Sequence, residues 1–281
     1  MRHSVWGPIW SGDLVASNRG AAGKVTDRNQ PASTIYALAS SIVFLGMVWE
    51  NAVRSSVLAP PIAALLIIGY LCTGQVVAWI RDSVEIAAVT LASAVAASLV
   101  LFVISHNLIL FDISLLCAAA VSELAACRGR WLGQRWTAAL AADFAVFVTA
   151  WIFNDSATLP EGYAYFGQSS VVAVQLALVL VYLASMGYRT LAVRTIVTAF
   201  EIGQNVLAIA IFILGQAVMA PTSSQRLLVS VTCDIVALGS YRALCRLDQK
   251  GADRNSTVYG IFGGALLIAA TLCALSVAGS V

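Results

Sequence analysis

Nine apolar runs, most close to the length a helix needs to cross a bilayer, occupy almost all of this chain. They are Thr34–Trp49, Val57–Ile80, Val84–Ser105, Leu108–Cys127, Thr137–Phe153, Gln168–Gly187, Ala192–Ala220, Leu227–Leu244 and Thr257–Gly279. At 1.5 Å of rise per residue, about 20 residues cover a hydrocarbon core about 30 Å thick. Backbone N–H and C=O groups find no water in lipid, so runs of this length must be helical. The first and fifth runs are short, and the seventh is long enough to tilt or protrude. Composition agrees, with 60% hydrophobic and 11% charged residues, where soluble domains carry roughly 25% charged. The expected fold class is all-α: a polytopic integral membrane helix bundle of about nine transmembrane helices.

Charge placement tests the count. Taking the loops in order, Lys and Arg fall fourteen to one side of the nine-span arrangement and two to the other. Cytoplasmic loops collect positive charge, so the amino terminus is expected inside and the carboxyl terminus outside. A missed or invented span would scramble that alternation. Residues 1–33 read as a poorly ordered cytoplasmic tail, with Trp6 and Trp10 able to rest on the membrane surface. The tail does not have the form of a signal peptide, because the first apolar run starts only near Ile35. Residues 34–281 form a single transmembrane domain, and no connection is long enough to hold a soluble domain. Short loops and few lysines suit a bacterial cytoplasmic (inner) membrane.

Several local features carry structural expectations. Pro60–Pro61 is expected to mark the true start of its helix. Gly260 and Gly264 form a G-x-x-x-G spacing that permits close helix packing. The segments "GYRTLAVR" (187–194) and "SYRALCR" (240–246) resemble one another, as interfacial anchors or as the trace of a duplicated helix pair. Six cysteines lie in or beside apolar runs without C-x-x-C spacing, and read as small buried residues.

Five carboxylates fall within the runs: Asp112, Glu123, Asp143, Glu201 and Asp234. Each costs on the order of 2.5–3.5 kcal/mol at the bilayer centre, so such groups normally face the bundle interior. Asp112 and Glu123 lie near opposite ends of the fourth run, within reach of water or headgroups. Asp143 and Glu201 are expected level with each other, about 10 Å from the cytoplasmic surface. Asp234 and Gln175 have comparable depths from the outer side. On the seventh run, Arg194, Thr198, Glu201 and Asn205 follow helical spacing along one face, with Gln204 beside them and Gln216 further along. No lysine or arginine lies well inside a run, so Glu201 is expected without a cation.

The candidate intramembrane polar site is therefore Thr198, Glu201, Gln204, Asn205, Asp143, Asp234 and Gln175. These groups serve either a solute or proton path or hydrogen bonding between helices, which is typically worth about 0.6 kcal/mol each. No H-E-x-x-H, G-x-S-x-G or P-loop is present, and His3 and His106 are too remote to pair on a metal. No catalytic, cofactor or metal residue is assigned, and a net charge of +2 gives no argument for nucleic acid. The expected partners are the lipid bilayer, a small solute or proton, and a second copy or a membrane partner. The leading functional expectation is small-solute or proton-linked membrane transport, and the alternative is a non-enzymatic sensor, scaffold or assembly subunit. Fused to the carboxyl terminus, a reporter active only outside the cytoplasm should be active; cytoplasmic activity would break the nine-span topology.

Overall fold

In the computed structural model, residues 30–55, 57–155, 161–219, 223–248 and 253–278 are described, and among them every element is helical. Nine α-helices follow in order: α1 Gln30–Trp49, α2 Pro60–Arg81, α3 Val84–Ser105, α4 Leu108–Cys127, α5 Arg135–Asp155, α6 Gln168–Gly187, α7 Ala199–Met219, α8 Ser223–Asp248 and α9 Asp253–Ala278. Among the described residues, eight stretches are long and apolar enough to cross a membrane, and they lie on α1 to α7 and on α9. The first helix begins at Gln30, four residues inside the stretch read as tail; Trp6, Trp10 and His3 lie outside the described residues.

Local chemistry sets the helix ends. Pro60 and Pro61 occupy the first positions of α2 after an extended Ala59, as the double proline predicts: the missing N–H groups fall where a helix leaves donors unused. Ser83 caps α3 by accepting from Ile86 N at 3.3 Å. Short turns join α2 to α3 and α3 to α4, through left-handed Asp82 and His106.

The α4 and α5 helices form the centre. α4 packs against α2, α3, α5 and α6, while α5 also packs against α3, α6 and α7. The main core joins Ile67, Leu71, Leu91, Phe111, Leu115, Val146 and Leu178. α1 lies at the periphery, tied to α2 by Ser41–Tyr70 at 2.5 Å and by stacking of Phe44 on Tyr70. α8 and α9 form a hairpin in which, of the expected pair, Gly260 makes the close approach: a Cβ there would lie 2.9 Å from Leu244 Cδ1, while one at Gly264 would stand at an ordinary 3.7 Å from the Tyr241 hydroxyl. The second close approach is Gly263, against the Tyr241 ring. The two similar segments are not structural equivalents. Tyr188–Ala192 is a π-helical turn that buries Arg189, whereas Tyr241–Arg246 continues α8 and leaves Arg242 exposed.

One end of the bundle, which we call the basic end, gathers the α2–α3, α4–α5 and α6–α7 connections with their arginines. There Arg130 pairs with Asp82 at 2.9 Å, and Arg128 and Arg130 both lie over the Trp79 ring.

Close packing between α2 and α3 depends on Gly74. A Cβ at this position would sit 2.4 Å from Thr90 Cγ2 and 2.7 Å from Thr90 Cβ. Gly74→Ala should therefore lose stability by ~1–3 kcal/mol through overpacking, while Gly46→Ala, with open space around it, should gain up to about 1 kcal/mol from helix propensity. Thermal unfolding of both variants in detergent checks the pair.

Candidate functional site

The seventh apolar run is not one helix. After the π-helical turn Tyr188–Ala192, residues 193–198 leave helical geometry, and α7 starts at Ala199. The break lies at Arg194, whose φ of 61° is left-handed, a conformation a bulky side chain rarely adopts and a right-handed helix cannot continue through. The expected continuous stripe from Arg194 through Asn205 is thereby corrected: Thr198 is the residue before the helix, and Glu201 lies in the first turn.

Thr198 and Glu201 cap α7 reciprocally. Glu201 N donates to Thr198 Oγ1 at 3.3 Å, and Thr198 N donates to Glu201 Oε2 at 2.8 Å. This is a capping box, in which two donors left over at a helix start are satisfied by a Thr and a Glu three residues apart. The positive end of the helix dipole also favours a carboxylate there. The signature T-A-F-E, followed by an apolar run, was present in the sequence.

Glu201 is also not free of cations, which corrects a second expectation. Its Oε1 receives the Arg189 guanidinium and lies 3.6 Å from Arg135 Nη2. Arg135, the first residue of α5, grips Glu123 of α4 with both edges of its fork: Nε to Oε1 at 2.8 Å and Nη2 to Oε2 at 2.6 Å. The Ser185 hydroxyl of α6 donates to the same Glu123 oxygen. Phe200 completes the wall, with the Arg135 guanidinium over its ring at 4.5 Å and Trp136 edge-on to it. Two arginines and two glutamates thus join α4, α5, α6 and α7 at the basic end. Glu123 is only 3% exposed and Glu201 2%; the former is not open to water or headgroups as its position in the run led us to expect.

One turn further in, Gln204 Nε2 of α7 donates to Asp143 Oδ2 of α5 at 2.6 Å. Asp143 is thus level with Gln204 rather than with Glu201. Tyr182 of α6 lies within electrostatic reach of Asp143, Glu123 and Arg135. Asn205 donates to Glu201 O at 2.8 Å and to Met186 Sδ at 3.7 Å. Three buried oxygens nearby, Asp143 Oδ1, Tyr182 OH and Asn205 Oδ1, have no well-formed hydrogen bond among the described residues, although Gln204 lies near enough to act on the Tyr182 hydroxyl. Unpaired buried polar atoms are rare and costly, so each calls for an explanation, in local strain, an ordered water or a bound species.

Toward the opposite end, Gln216 Nε2 donates to Gln175 Oε1 at 2.6 Å. Gly215 makes this possible, since a Cβ there would lie 2.0 Å from Gln175 Nε2. Asp112 of α4 is fully buried, accepts from Thr149 Oγ1 of α5 at 2.7 Å, and has its second oxygen unpartnered. It too is closed to water, against its expected place near a surface. Of the seven candidates, Thr198, Glu201, Gln204, Asn205 and Asp143 come together, and Gln175 continues the polar line. Asp234 does not: it sits on the exposed face of α8. Arg135, Arg189, Glu123, Tyr182 and Asp112 complete the site. Arg135 and Arg189 escaped notice because charge counting assigns every arginine near a run's end to a loop.

Comparison with protein-family models, curated proteins and solved structures finds no match for this chain. Its chemistry must be read from its own geometry. Among the described residues no group of three or more His, Cys, Asp and Glu could hold a metal. The arrangement is suited to holding charge and hydrogen-bonding small polar species inside the bundle.

Removing one partner of a buried ion pair leaves an uncompensated charge and costs about 3–5 kcal/mol. Arg135→Ala should lose stability on that scale. Arg135→Lys should recover only part of it, because an ammonium cannot reproduce the two-pronged grip. Denaturant unfolding of the two variants in detergent, compared with wild type, measures both.

Proposed function

We propose that this chain crosses a bacterial cytoplasmic membrane nine times, amino terminus inside, and carries a small polar solute or protons along the seam among helices α4, α5, α6 and α7. The nine-span topology draws on the charge bias between alternate loops and on the collection of arginines at one end. The observation that carries transport is Asp143: a carboxylate 4% exposed that, among the described residues, is hydrogen-bonded only by the neutral Gln204 amide and has its other oxygen unpartnered. Ionisable groups inside a membrane bundle are expensive and characteristically mark ion or substrate pathways. The Arg135–Glu123 and Arg189–Glu201 pairs close the basic end of that pathway, and the Gln175–Gln216 pair narrows it further along. Glu201 belongs to the closure rather than to the proton-responsive centre, because its charge is already matched.

A second reading, a scaffold or assembly subunit, is favoured by a different observation. Asp234 is exposed midway along α8, where Leu227, Ile235 and Leu238 are exposed with it. A carboxylate on such a face calls for a protein neighbour rather than lipid.

Proteoliposomes loaded with a pH-sensitive dye separate the two. With a panel of small polar solutes added outside, wild type should move protons with at least one of them, and Asp143→Asn should abolish the signal while remaining folded. No flux from wild type, together with a stoichiometric partner in a native pull-down that Asp234→Asn releases, would establish the second reading instead.

A further inference from the structure

The interior charges do not balance. Arg135 and Arg189 match Glu123 and Glu201 through direct contacts. Asp143 and Asp112 are buried with no salt bridge among the described residues. Both are built the same way: one carboxylate oxygen accepts from a neutral side chain, Gln204 Nε2 at 2.6 Å or Thr149 Oγ1 at 2.7 Å. The other oxygen is buried without a partner in each. Isolated ionised carboxylates in an apolar interior cost far more than the hydrogen bond each receives, so a positive ion must accompany each one.

We infer that Asp143 and Asp112 are two stations for an exchangeable monovalent cation, a proton or a sodium ion, on two faces of α5: Asp143 toward α7 and Asp112 toward α4. Asp143 and Thr149 both lie on α5, six residues apart, which separates the stations by about 9 Å along the axis. At the inner station Gln204 of α7 binds Asp143 directly and Tyr182 of α6 lies within electrostatic reach, its hydroxyl unpartnered among the described residues; carboxylate and hydroxyl oxygens suit a hard cation rather than a soft one. Glu123 of α4 and Arg135 of α5 also lie within reach of Tyr182 and are already committed to each other. At the outer station Thr149 is the neighbour from α5. This inference rests on the seam being a site rather than packing, and it names the ion.

The test uses the purified full-length chain and two readouts. Thermal unfolding is measured in sodium chloride and in choline chloride. Infrared difference spectra are recorded at neutral pH without sodium, in the region of the protonated carboxyl C=O stretch. If sodium is the ion, it raises the unfolding midpoint relative to choline, and Asp112→Asn and Asp143→Asn each remove part of that rise. If the proton is the ion, sodium has no effect and each substitution removes one carboxylic acid band. Where an Asn variant fails to fold, Tyr182→Phe, which deletes only a hydroxyl, should weaken the sodium response or shift the Asp143 band. No sodium response and no carboxylic acid band in wild type would overturn the inference. Binding without flux would sink the transport proposal and leave the stations intact, whereas flux without either signature would sink the stations and spare transport.

Discussion

Four charges held out of water set the terms for the rest of this bundle. Moving a guanidinium or a carboxylate into an apolar interior costs several kcal/mol even after relaxation. That cost is offset only where geometry is good and the remaining hydrogen-bonding capacity is used. Arg135 meets this by presenting both edges of its fork to Glu123, and Glu201 by dividing its oxygens between Arg189 and the backbone at the start of α7. Each of α4, α5, α6 and α7, or the turn that follows it, contributes a member. The cluster therefore fixes how four helices approach one another at the basic end, which the surrounding alanines and leucines alone specify only loosely.

The same cluster explains the irregular chain path between α6 and α7. For Arg189 to point inward, the end of α6 widens into a π-helical turn. The chain then reverses through Arg194 and re-enters as α7 with its capping carboxylate already beneath the arginine. The α8–α9 hairpin is fastened to this irregular segment: Asn255 accepts from Val197 N and donates to Thr195 O, and the Tyr259 hydroxyl meets Thr190. A strained stretch of backbone thus links the ion pairs to the last two helices, and motion of one would be felt by the other.

Helix existence was legible in the sequence because length and hydrophobicity suffice for it. Most ends were legible too, with Pro60–Pro61 the clearest case. The break before Ala199 was not, because apolar residues continue through it and nothing in hydropathy distinguishes a helix from an extended segment. The T-A-F-E pattern carried the missing information. Burial of Asp112 and Glu123 was misjudged because distance from a run's end measures depth along the axis, not which side faces the interior. Asp234 failed in the opposite sense: it sits mid-run yet faces outward. Pairing of Arg135 and Arg189 with Glu201 depends on contacts across helices 50 or more residues apart in one case and on a local turn in the other, and neither leaves a periodic trace.

On the proposed reading, matched and unmatched carboxylates differ in what they are for: Glu123 and Glu201 hold the bundle together, and Asp143 and Asp112 take up an exchangeable cation. The most direct measurement compares the unfolding stability of Glu201→Gln and Asp143→Asn in the same detergent. Neutralising Glu201 should strand buried Arg189 and lower stability by about 3–5 kcal/mol, whereas neutralising Asp143 should cost little or even stabilise. Equal losses from the two, or a larger loss from Asp143→Asn, would contradict the division.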